Sequence, residues 1–171
     1  MRCWRMCAWV LAGLLCAKIA SAQAGVYGLF TGANLDSSGV PTTKIFGPTF
    51  GIYADFSTPV VKFGGDVRGA LLTRSGVHNY YGVTGPRLEV DLPVFSLKPY
   101  AEALAGGGES ISKLDPRAAL HIDYELLAGV DRKFTSLLEW RVLEFSYTSN
   151  IYGAGNIKTK ALSSGVILRI P

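Results

Sequence analysis

The sequence predicts an all-β fold, an eight-stranded antiparallel up-and-down transmembrane β-barrel. Apolar and polar residues alternate through eight stretches of roughly ten residues, the pattern of strands with one lipid-facing and one lumen-facing side. The connections between these stretches are predicted to be long and short in strict rotation. The 8 phenylalanines and 8 tyrosines of the 171-residue chain also favour β structure over helix.

Residues 1–22 are predicted to be a cleaved export signal that is not part of the barrel. Arg2 and Arg5 form a basic start, Met6–Ala17 is an apolar run, and Ala20-Ser21-Ala22 has the small residues that a signal peptidase accepts. The apolar run is too short to cross a bilayer as a helix. We therefore expect the mature chain to be residues 23–171.

Removal of this segment changes the cysteine content and the charge. Cys3, Cys7 and Cys16 all lie within it, so the mature chain would have no thiol for a disulfide, a metal site or a nucleophile. Three basic residues are also lost, which leaves 14 of the 17 against 13 acidic residues and lowers the formal net charge from +4 to +1. This charge gives no reason to expect a nucleic-acid partner.

The predicted strands are bounded by turn-forming residues. In the third strand Phe63 and Val67 fall on one face, and Lys62 and Asp66 fall on the other. We expect the apolar face to contact lipid and the charged face to line the lumen. The eight predicted strands are Gly25–Leu35, Ile45–Phe56, Val61–Arg74, Val83–Leu92, Lys98–Gly108, Ile122–Phe134, Leu138–Ser149 and Thr159–Ile170.

Each of the other strands receives a lipid face from the same alternation. Strand one is predicted to place Tyr27, Leu29, Thr31, Ala33 and Leu35 outward and Gly28, Phe30, Gly32 and Asn34 inward. Outward residues are predicted in five further strands. They are Phe46, Phe50 and Phe56 in strand two, Leu88, Val90 and Leu92 in strand four, Ala101, Ala103 and Ala105 in strand five, Leu126 and Val130 in strand six, and Leu162, Val166, Leu168 and Ile170 in strand eight.

Strand seven does not alternate regularly. Arg141 and Glu144 have opposite parity, although both are expected to prefer the polar interior. A β-bulge at Val142 or Leu143 would place both inside and leave Phe145 facing lipid. The alternative is an outward Arg141 whose guanidinium reaches the membrane interface.

The connections set the predicted orientation of the barrel. Residues 36–44, 75–82, 109–121 and 150–158 are predicted to form long loops after the odd-numbered strands, and short turns are predicted at 57–60, 93–97 and 135–137. In outer-membrane barrels the short turns face the periplasm and the long loops face outward. Both ends of the mature chain are therefore expected on the periplasmic side.

The inward-facing residues predict a lumen filled by ion pairs, without a wide pore. A sheet in hydrocarbon must close on itself to pair its backbone groups, and eight strands enclose a space that side chains can fill. Inward glycines, expected at 28, 32, 47, 51, 64 and 129, would make room for longer neighbours. The predicted ion-pair network contains Asp55, Lys62, Asp66, Arg68, Arg87, Glu89, Asp91, Glu102, Glu125, Asp131, Arg141, Glu144 and Arg169.

The chain resembles the small outer-membrane β-barrel proteins, the family typified by the membrane domain of OmpA. The resemblance rests on the export signal, the eight alternating strands, the segments Lys98–Leu104 and Ala128–Asp131, and the closing segment Ser164–Ile170. It implies insertion by the barrel-assembly machinery. Such barrels usually end in an aromatic residue, whereas this chain ends in Ile170-Pro171, so we expect this insertion signal to be read less efficiently.

No catalytic, cofactor-binding or metal site is predicted. The two histidines, His78 and His121, fall in or beside predicted outer loops, and no set of partners at fixed spacing accompanies them. Some eight-stranded barrels are lipid-modifying enzymes that use histidine with serine and an acid. This sequence contains the short pair His121 and Asp123 but no His-x-Ser pair.

We expect a non-enzymatic integral protein of the outer membrane of a two-membraned bacterium, with a structural or surface-recognition role. Its expected partners are outer-membrane lipid and the assembly machinery, with no cofactor and no external partner that the sequence identifies. One alternative is a lipid-modifying enzyme at the barrel rim. Another is a soluble periplasmic carrier of the lipocalin type, which would need an apolar cavity and would bury Phe46, Phe50 and Phe63 at its centre.

Overall fold

A computed structural model of the chain describes residues 22–37, 40–57, 60–92, 96–111, 119–153 and 157–170. Residues 1–21 of the predicted export signal lie outside the described residues. Within the described ranges, no helix is long and apolar enough to cross a membrane. The strands are β1 (Ala22–Ser37), β2 (Val40–Ser57), β3 (Val61–Arg74), β4 (Val77–Val90), β5 (Leu97–Ile111), β6 (Ala119–Lys133), β7 (Leu138–Gly153) and β8 (Ile157–Ile170).

The eight strands form a closed antiparallel barrel in which each strand pairs with its neighbours in sequence and β1 pairs with β8. The predicted fold class is therefore confirmed. The strands are staggered. A path that starts at Val26 and moves from each residue to its partner on the next strand returns to β1 at Asp36, ten positions further along the chain. A stagger of this size requires strands tilted by roughly 35–45° from the barrel axis.

The predicted rotation of long and short connections is wrong. The strands are 14 to 18 residues long and take up most of the predicted long loops. The predicted loop 75–82 is a two-residue turn at Ser75 and Gly76, whose φ angles of 50° and 82° are those of a primed hairpin turn. Turn-forming residues indicated loops there, but the backbone pairing of β3 and β4 continues to Arg74 and Val77.

The two ends of the barrel differ in their outer surface. We call the end that carries the start of β1 and the end of β8 the terminal end, and the opposite end the far end. Outward apolar residues reach the terminal end at Val61 and Ile170. At the far end the outward residues of β1, β2 and β8 are polar, with Asn34, Lys44 and Lys160 side by side, whereas β6 and β7 expose Leu120 and Ile151 there.

The predicted alternation holds in the charged strands. Phe63 is 59% exposed on the outer face of β3, while Lys62, Asp66 and Arg68 are buried inside. In β2, Phe46, Phe50 and Phe56 face out as predicted. The charged residues of these strands fix the inner face, because an unpaired charge at the lipid face is costly.

The prediction for β1 is wrong, because its inward and outward faces are reversed. Tyr27, Leu29, Thr31 and Ala33 are buried in the lumen, Leu35 packs against the same core, and Phe30 is 68% exposed outside. Gly28 and Gly32 accordingly face outward and provide no space inside. This segment carries no charge between Gly25 and Leu35 to mark its inner face, so counting apolar residues selected the wrong one.

The bulge in β7 lies where the sequence suggested it. Asp131 pairs with Arg141 and Val130 pairs with Leu143, so Val142 is the extra residue. The pairing with β8 shifts between Arg141 and Glu144. Both of these charged side chains are buried, and Phe145 faces out.

Candidate functional site in the barrel lumen

Arg87 on β4 lies at the centre of the buried charges. Its Nη1 is 2.5 Å from Glu102 Oε1, and its Nη2 lies 2.8 Å from Glu89 Oε2 and 3.2 Å from Asp131 Oδ2. Its Nε is 3.5 Å from Asp55 Oδ2. Four carboxylates on four other positions of the wall are therefore directed at one guanidinium.

Arg141 on β7 forms a second centre beside the first. Its Nε donates to Asp131 Oδ1 at 2.9 Å, and its Nη1 donates to Glu144 Oε2 at 2.9 Å. Asp131 also binds Arg87, so this carboxylate links the two arginines. The side chains of Arg87 and Arg141 have no exposed surface.

Three tyrosine rings hold these guanidiniums in place. The Cζ atom of Arg87 lies 4.4 Å from the Tyr53 ring centre and 4.2 Å from that of Tyr100. Arg141 lies in the same way between Tyr27, at 4.5 Å, and Tyr100, at 4.4 Å. Cation–π contacts are stronger where water is excluded, so these rings stabilise the buried positive charges as the carboxylates do.

Further pairs extend the network along the lumen. Arg68 Nη2 donates to Glu144 Oε1 at 2.6 Å, and its Nη1 is 3.7 Å from Glu125 Oε1. Asp66 forms no ion pair with a described residue and accepts a 2.8 Å hydrogen bond from the Tyr27 hydroxyl.

The terminal end of the lumen is closed by two groups of charges. Lys62 Nζ donates to Glu89 Oε1 at 2.9 Å. Lys98 pairs with Glu139, which is also 3.1 Å from Arg169 Nη1.

The structure places twelve of the thirteen predicted network residues in or at the edge of the lumen. Asp91 differs: it follows β4, its side chain is 37% exposed, and it lies 3.7 Å from Lys62 at the rim. Lys98 and Glu139 were missed, although each stands two residues before a lumen residue on the same face, Tyr100 and Arg141. That spacing of two could have found them.

Towards the far end most inward residues are uncharged, and apolar side chains lie among hydroxyl side chains such as Thr31, Thr148 and Thr159. We call this part the apolar layer, and the buried charged residues described above the charged layer. On β4, Tyr81 and Val83 belong to the apolar layer and lie nearer the far end than Arg87. On β5, Leu104 lies nearer the far end than Glu102. The apolar layer contains Ala33, Ile45, Ala70, Leu72, Val77, Tyr81, Val83, Leu104, Leu127 and Ala161.

A small polar group, which we call the far-end cluster, lies near the far end of the lumen, where Asn79 stands between Val77 and Tyr81 of the apolar layer on β4. It consists of Asn79, Ser110, His121 and Asp123, all buried. Ser110 Oγ lies 2.9 Å from His121 Nε2 and donates to Asn79 Oδ1 at 3.0 Å. His121 Nδ1 lies 2.7 Å from Asp123 Oδ2. Sequence reasoning missed Ser110, because it assigned residues 109–121 to a loop and so could not see the pairing of β5 with β6 that brings serine and histidine together.

The other histidine lies outside the lumen cluster. His78 Nδ1 is 2.8 Å from Thr73 Oγ1 and 3.0 Å from the Tyr80 hydroxyl, and its side chain is part of the outer surface. Among the described residues, no group of three or more histidine, cysteine, aspartate or glutamate residues is arranged to hold a metal ion.

Solved structures of outer-membrane barrels share this fold. Neisserial surface protein A is 18% identical, with a TM-score of 0.65 over 85% of this chain and 96% of that one. Ail, the attachment invasion locus protein of Yersinia pestis, is 12% identical, with a TM-score of 0.58 over 88% and 99%. Ail bound to the heparin analogue sucrose octasulfate gives 13% identity and a TM-score of 0.55 over 88% and 99%. No protein-family model and no curated protein matches the sequence.

These comparisons confirm the resemblance to small outer-membrane barrels at the level of the fold. The matched chains are covered almost completely, so the likeness extends over a whole eight-stranded barrel and not over a few strands. Identities this low do not transfer a ligand or an activity.

Proposed function

We propose that this protein is an integral outer-membrane protein of a two-membraned bacterium, exported with a cleaved signal, that spans the membrane as a plugged barrel and acts at the cell surface. The observation that carries this proposal is the difference in polarity between the outer and inner faces of the barrel wall. Its outer face exposes large apolar residues on seven of the eight strands and alanines on β5, and its lumen encloses fully buried arginines and carboxylates.

This difference between the two faces favours lipid over water as the medium around the barrel. A continuous belt that includes Phe30, Phe50, Phe63 and Leu168 far exceeds the apolar patches of soluble monomers. A soluble carrier would need the reverse, a polar exterior and an apolar cavity. Arg87 and Arg141 occupy the position where such a carrier would hold its ligand.

The two ends of the barrel support the proposed orientation. The apolar belt reaches the terminal end, whereas at the far end β1, β2 and β8 continue beyond it with polar outward residues, although Leu120 and Ile151 keep β6 and β7 apolar there. A barrel that projects from one side of the membrane is consistent with a far end at the cell surface and chain ends in the periplasm.

The charged layer supports the proposal that no wide pore is present. Arginine side chains and tyrosine rings meet at van der Waals distance across the lumen, with ring-to-guanidinium separations of 4.2 to 4.5 Å. Ions would have to displace paired charges to pass.

Membrane fractionation, migration of unboiled and boiled samples on a detergent gel, and planar-bilayer recording test this proposal. We expect the protein in the outer-membrane fraction, a folded form that changes mobility on boiling, and no steady large conductance. The variant Val67→Arg, at the lipid face, is expected to lose about 2–4 kcal/mol of stability in the membrane. The matched variant Lys160→Arg, outside the apolar belt, is expected to fold normally. A monodisperse soluble protein in buffer without detergent would refute the proposal.

A surface-recognition role is favoured by an arc of basic residues at the far end. Lys44 and Lys160 both flank Asn34 on neighbouring strands, and Arg74 extends over the outward Phe46 ring at 5.6 Å. Within the described residues, no carboxylate forms an ion pair with these three basic side chains. Lys44 and Arg74 also line a depression of about 400 Å³ with Thr42, Thr43, Ser75 and Val77.

Unpaired cations around a shallow depression are suited to a sulfated or phosphorylated saccharide. A fold relative, Ail, has been crystallised with the heparin analogue sucrose octasulfate. Titration of the folded protein with sucrose octasulfate is expected to show binding that weakens with salt. The double variant Lys44→Ala, Lys160→Ala should lose it, whereas Arg132→Ala, Lys133→Ala, which removes equal charge at the terminal end, should keep it. Equal losses in both double variants would refute recognition by the far end.

A further inference from the structure

The far-end cluster has the spacing of a catalytic triad. Gly108 on β5 pairs with His121 on β6, which brings Ser110, two residues further along β5, to the same inner face. Its Oγ lies 2.9 Å from His121 Nε2, within reach for proton transfer. Asp123, two residues after His121 on the same face, approaches the other ring nitrogen at 2.7 Å.

The aspartate lies against one of the two ring nitrogens of His121. A carboxylate can only accept, so the contact with Asp123 Oδ2 favours a proton on Nδ1. In the neutral ring Nε2 is then an acceptor, and it faces the Ser110 hydroxyl. The aspartate contact is off the line of a straight hydrogen bond, as is common for catalytic groups before a substrate binds.

Asn79 contributes a third polar side chain at the serine. Its Oδ1 is 3.0 Å from Ser110 Oγ, so its amide group lies beside the hydroxyl that would attack. The atom that faces the serine is the carbonyl oxygen, an acceptor, so Asn79 competes with His121 for the hydroxyl proton of Ser110. When the Ser110 hydroxyl donates to His121, the Asn79 amide is released from it.

The position of the cluster limits what can reach it. Ser110, His121 and Asp123 are 8%, 7% and 3% exposed. Tyr81 and Leu104 of the apolar layer lie between the cluster and the terminal end, so access is from the far end. A water-poor site at the mouth of a plugged barrel suits a small ester more than a large polar substrate.

We propose that Ser110, His121 and Asp123 form a nucleophilic triad that hydrolyses small carboxylic esters at the far end of the barrel. Ser110 Oγ attacks the ester carbonyl carbon while His121 Nε2 takes the hydroxyl proton. The carbon–oxygen bond of the ester breaks, and His121 returns the proton to the leaving alcohol. Water then attacks the acyl-serine with His121 as base and releases the carboxylic acid and free Ser110. Asp123 holds the ring and stabilises its positive charge during transfer.

The test uses the full chain refolded in detergent micelles, a fluorophosphonate probe and p-nitrophenyl acetate. We expect the probe to label Ser110, identified by peptide mass spectrometry, and the ester to be hydrolysed. Ser110→Ala should abolish labelling, and His121→Gln should slow hydrolysis by roughly a hundredfold or more. The matched control is Ser163→Ala, which removes a buried lumen hydroxyl that binds Thr31 and should keep both activities.

A second variant keeps the test valid if removal of a cluster side chain impairs folding. Asp123→Asn keeps the size of the side chain but replaces the carboxylate beside His121 Nδ1 with an amide, and it leaves Ser110 and His121 present. We expect it to fold, as judged by heat-modifiable migration, and to hydrolyse the ester more slowly than the unaltered chain. Absence of labelling in the folded unaltered chain, or equal hydrolysis by it and Ser110→Ala, would show that the cluster only satisfies buried polar groups. Neither outcome depends on the membrane location or the basic arc.

Discussion

Near the terminal end the lumen is filled by charges that share partners, whereas towards the far end it is filled mainly by uncharged side chains, with apolar residues among threonines and serines. In the charged layer two carboxylates each join two arginines: Asp131 binds both Arg87 and Arg141, and Glu144 binds both Arg68 and Arg141. In the apolar layer, Ile45 and Leu72 are fully buried by ordinary packing.

The difference concerns what happens when one side chain is lost. Removal of one member of a buried ion-pair set leaves charges without compensation, which costs more than the original pair contributed. Removal of a buried apolar group leaves a cavity, whose cost depends on how far the neighbours can relax. The stability of the charged layer therefore depends on every charge keeping its partners, and the stability of the apolar layer depends on how completely side chains fill its volume.

Arg141→Ala tests the charged layer and should have the largest effect. It leaves Asp131 and Glu144 facing each other with less compensation and removes the guanidinium between Tyr27 and Tyr100. We expect a loss of about 3–5 kcal/mol in the free energy of unfolding, measured by urea titration in detergent micelles. Arg132→Ala, an exposed arginine on β6, is the control. A loss no larger than that of the control would contradict the proposed role of shared partners.

Leu72→Ala tests the apolar layer. Leu72 is fully buried in the lumen, and its truncation is expected to cost about 2–5 kcal/mol, depending on relaxation of the cavity. The adjacent residue provides the control, since Leu71 is outward-facing and its truncation leaves no internal cavity. Equal losses for Leu71→Ala and Leu72→Ala in the same urea titration would show that the apolar layer is not tightly packed.

Gly129→Ala tests the aromatic support of the charged layer. A Cβ atom there would lie 2.5 Å from the Tyr100 hydroxyl oxygen, so the ring must move away from both arginines. The expected cost is about 1–3 kcal/mol, typical of overpacking. Gly65→Ala is the control, because its nearest atom would be an ordinary 3.6 Å away. If both variants unfold at the same urea concentration, Tyr100 is not held as described.

Asp91→Asn should have the smallest effect. Its side chain is partly exposed at the rim and lies 3.7 Å from Lys62, which has a better partner in Glu89. Exposed ion pairs contribute less than about 1 kcal/mol, so we expect a change within that range that disappears at high salt. A salt-independent loss of the size seen with Arg141→Ala would place Asp91 in the charged layer.

The fold was predictable where a charge marks the inner face of a strand. Lys62, Asp66 and Arg68 fix the parity of β3, and the mismatch of Arg141 with Glu144 locates the bulge in β7. Between Gly25 and Leu35 of β1 no charge is present, and the inner face contains Tyr27 and Leu29, which no polarity rule selects. The tyrosine is inside because an arginine from another strand stacks on it, which is a tertiary contact.

The candidate sites were less predictable, for a related reason. The members of the charged layer follow from parity alone, but their partners depend on the stagger of the barrel. Ser110 and His121 meet because β5 and β6 continue through a segment whose composition indicated a loop. Backbone pairing determines how far the strands extend beyond the apolar belt, and the amino-acid composition of these segments does not reveal that pairing.

The seam between β1 and β8 has a consequence for the order of folding. Its pairs join positions as far apart as Ala24 and Ile170, so this contact carries the largest loop-closure entropy in the molecule and is expected to form late. Until it forms, two rows of backbone amides and carbonyls have no partner, and hydrocarbon supplies none. We expect insertion and closure to be coupled, with half-inserted open sheets too short-lived to accumulate.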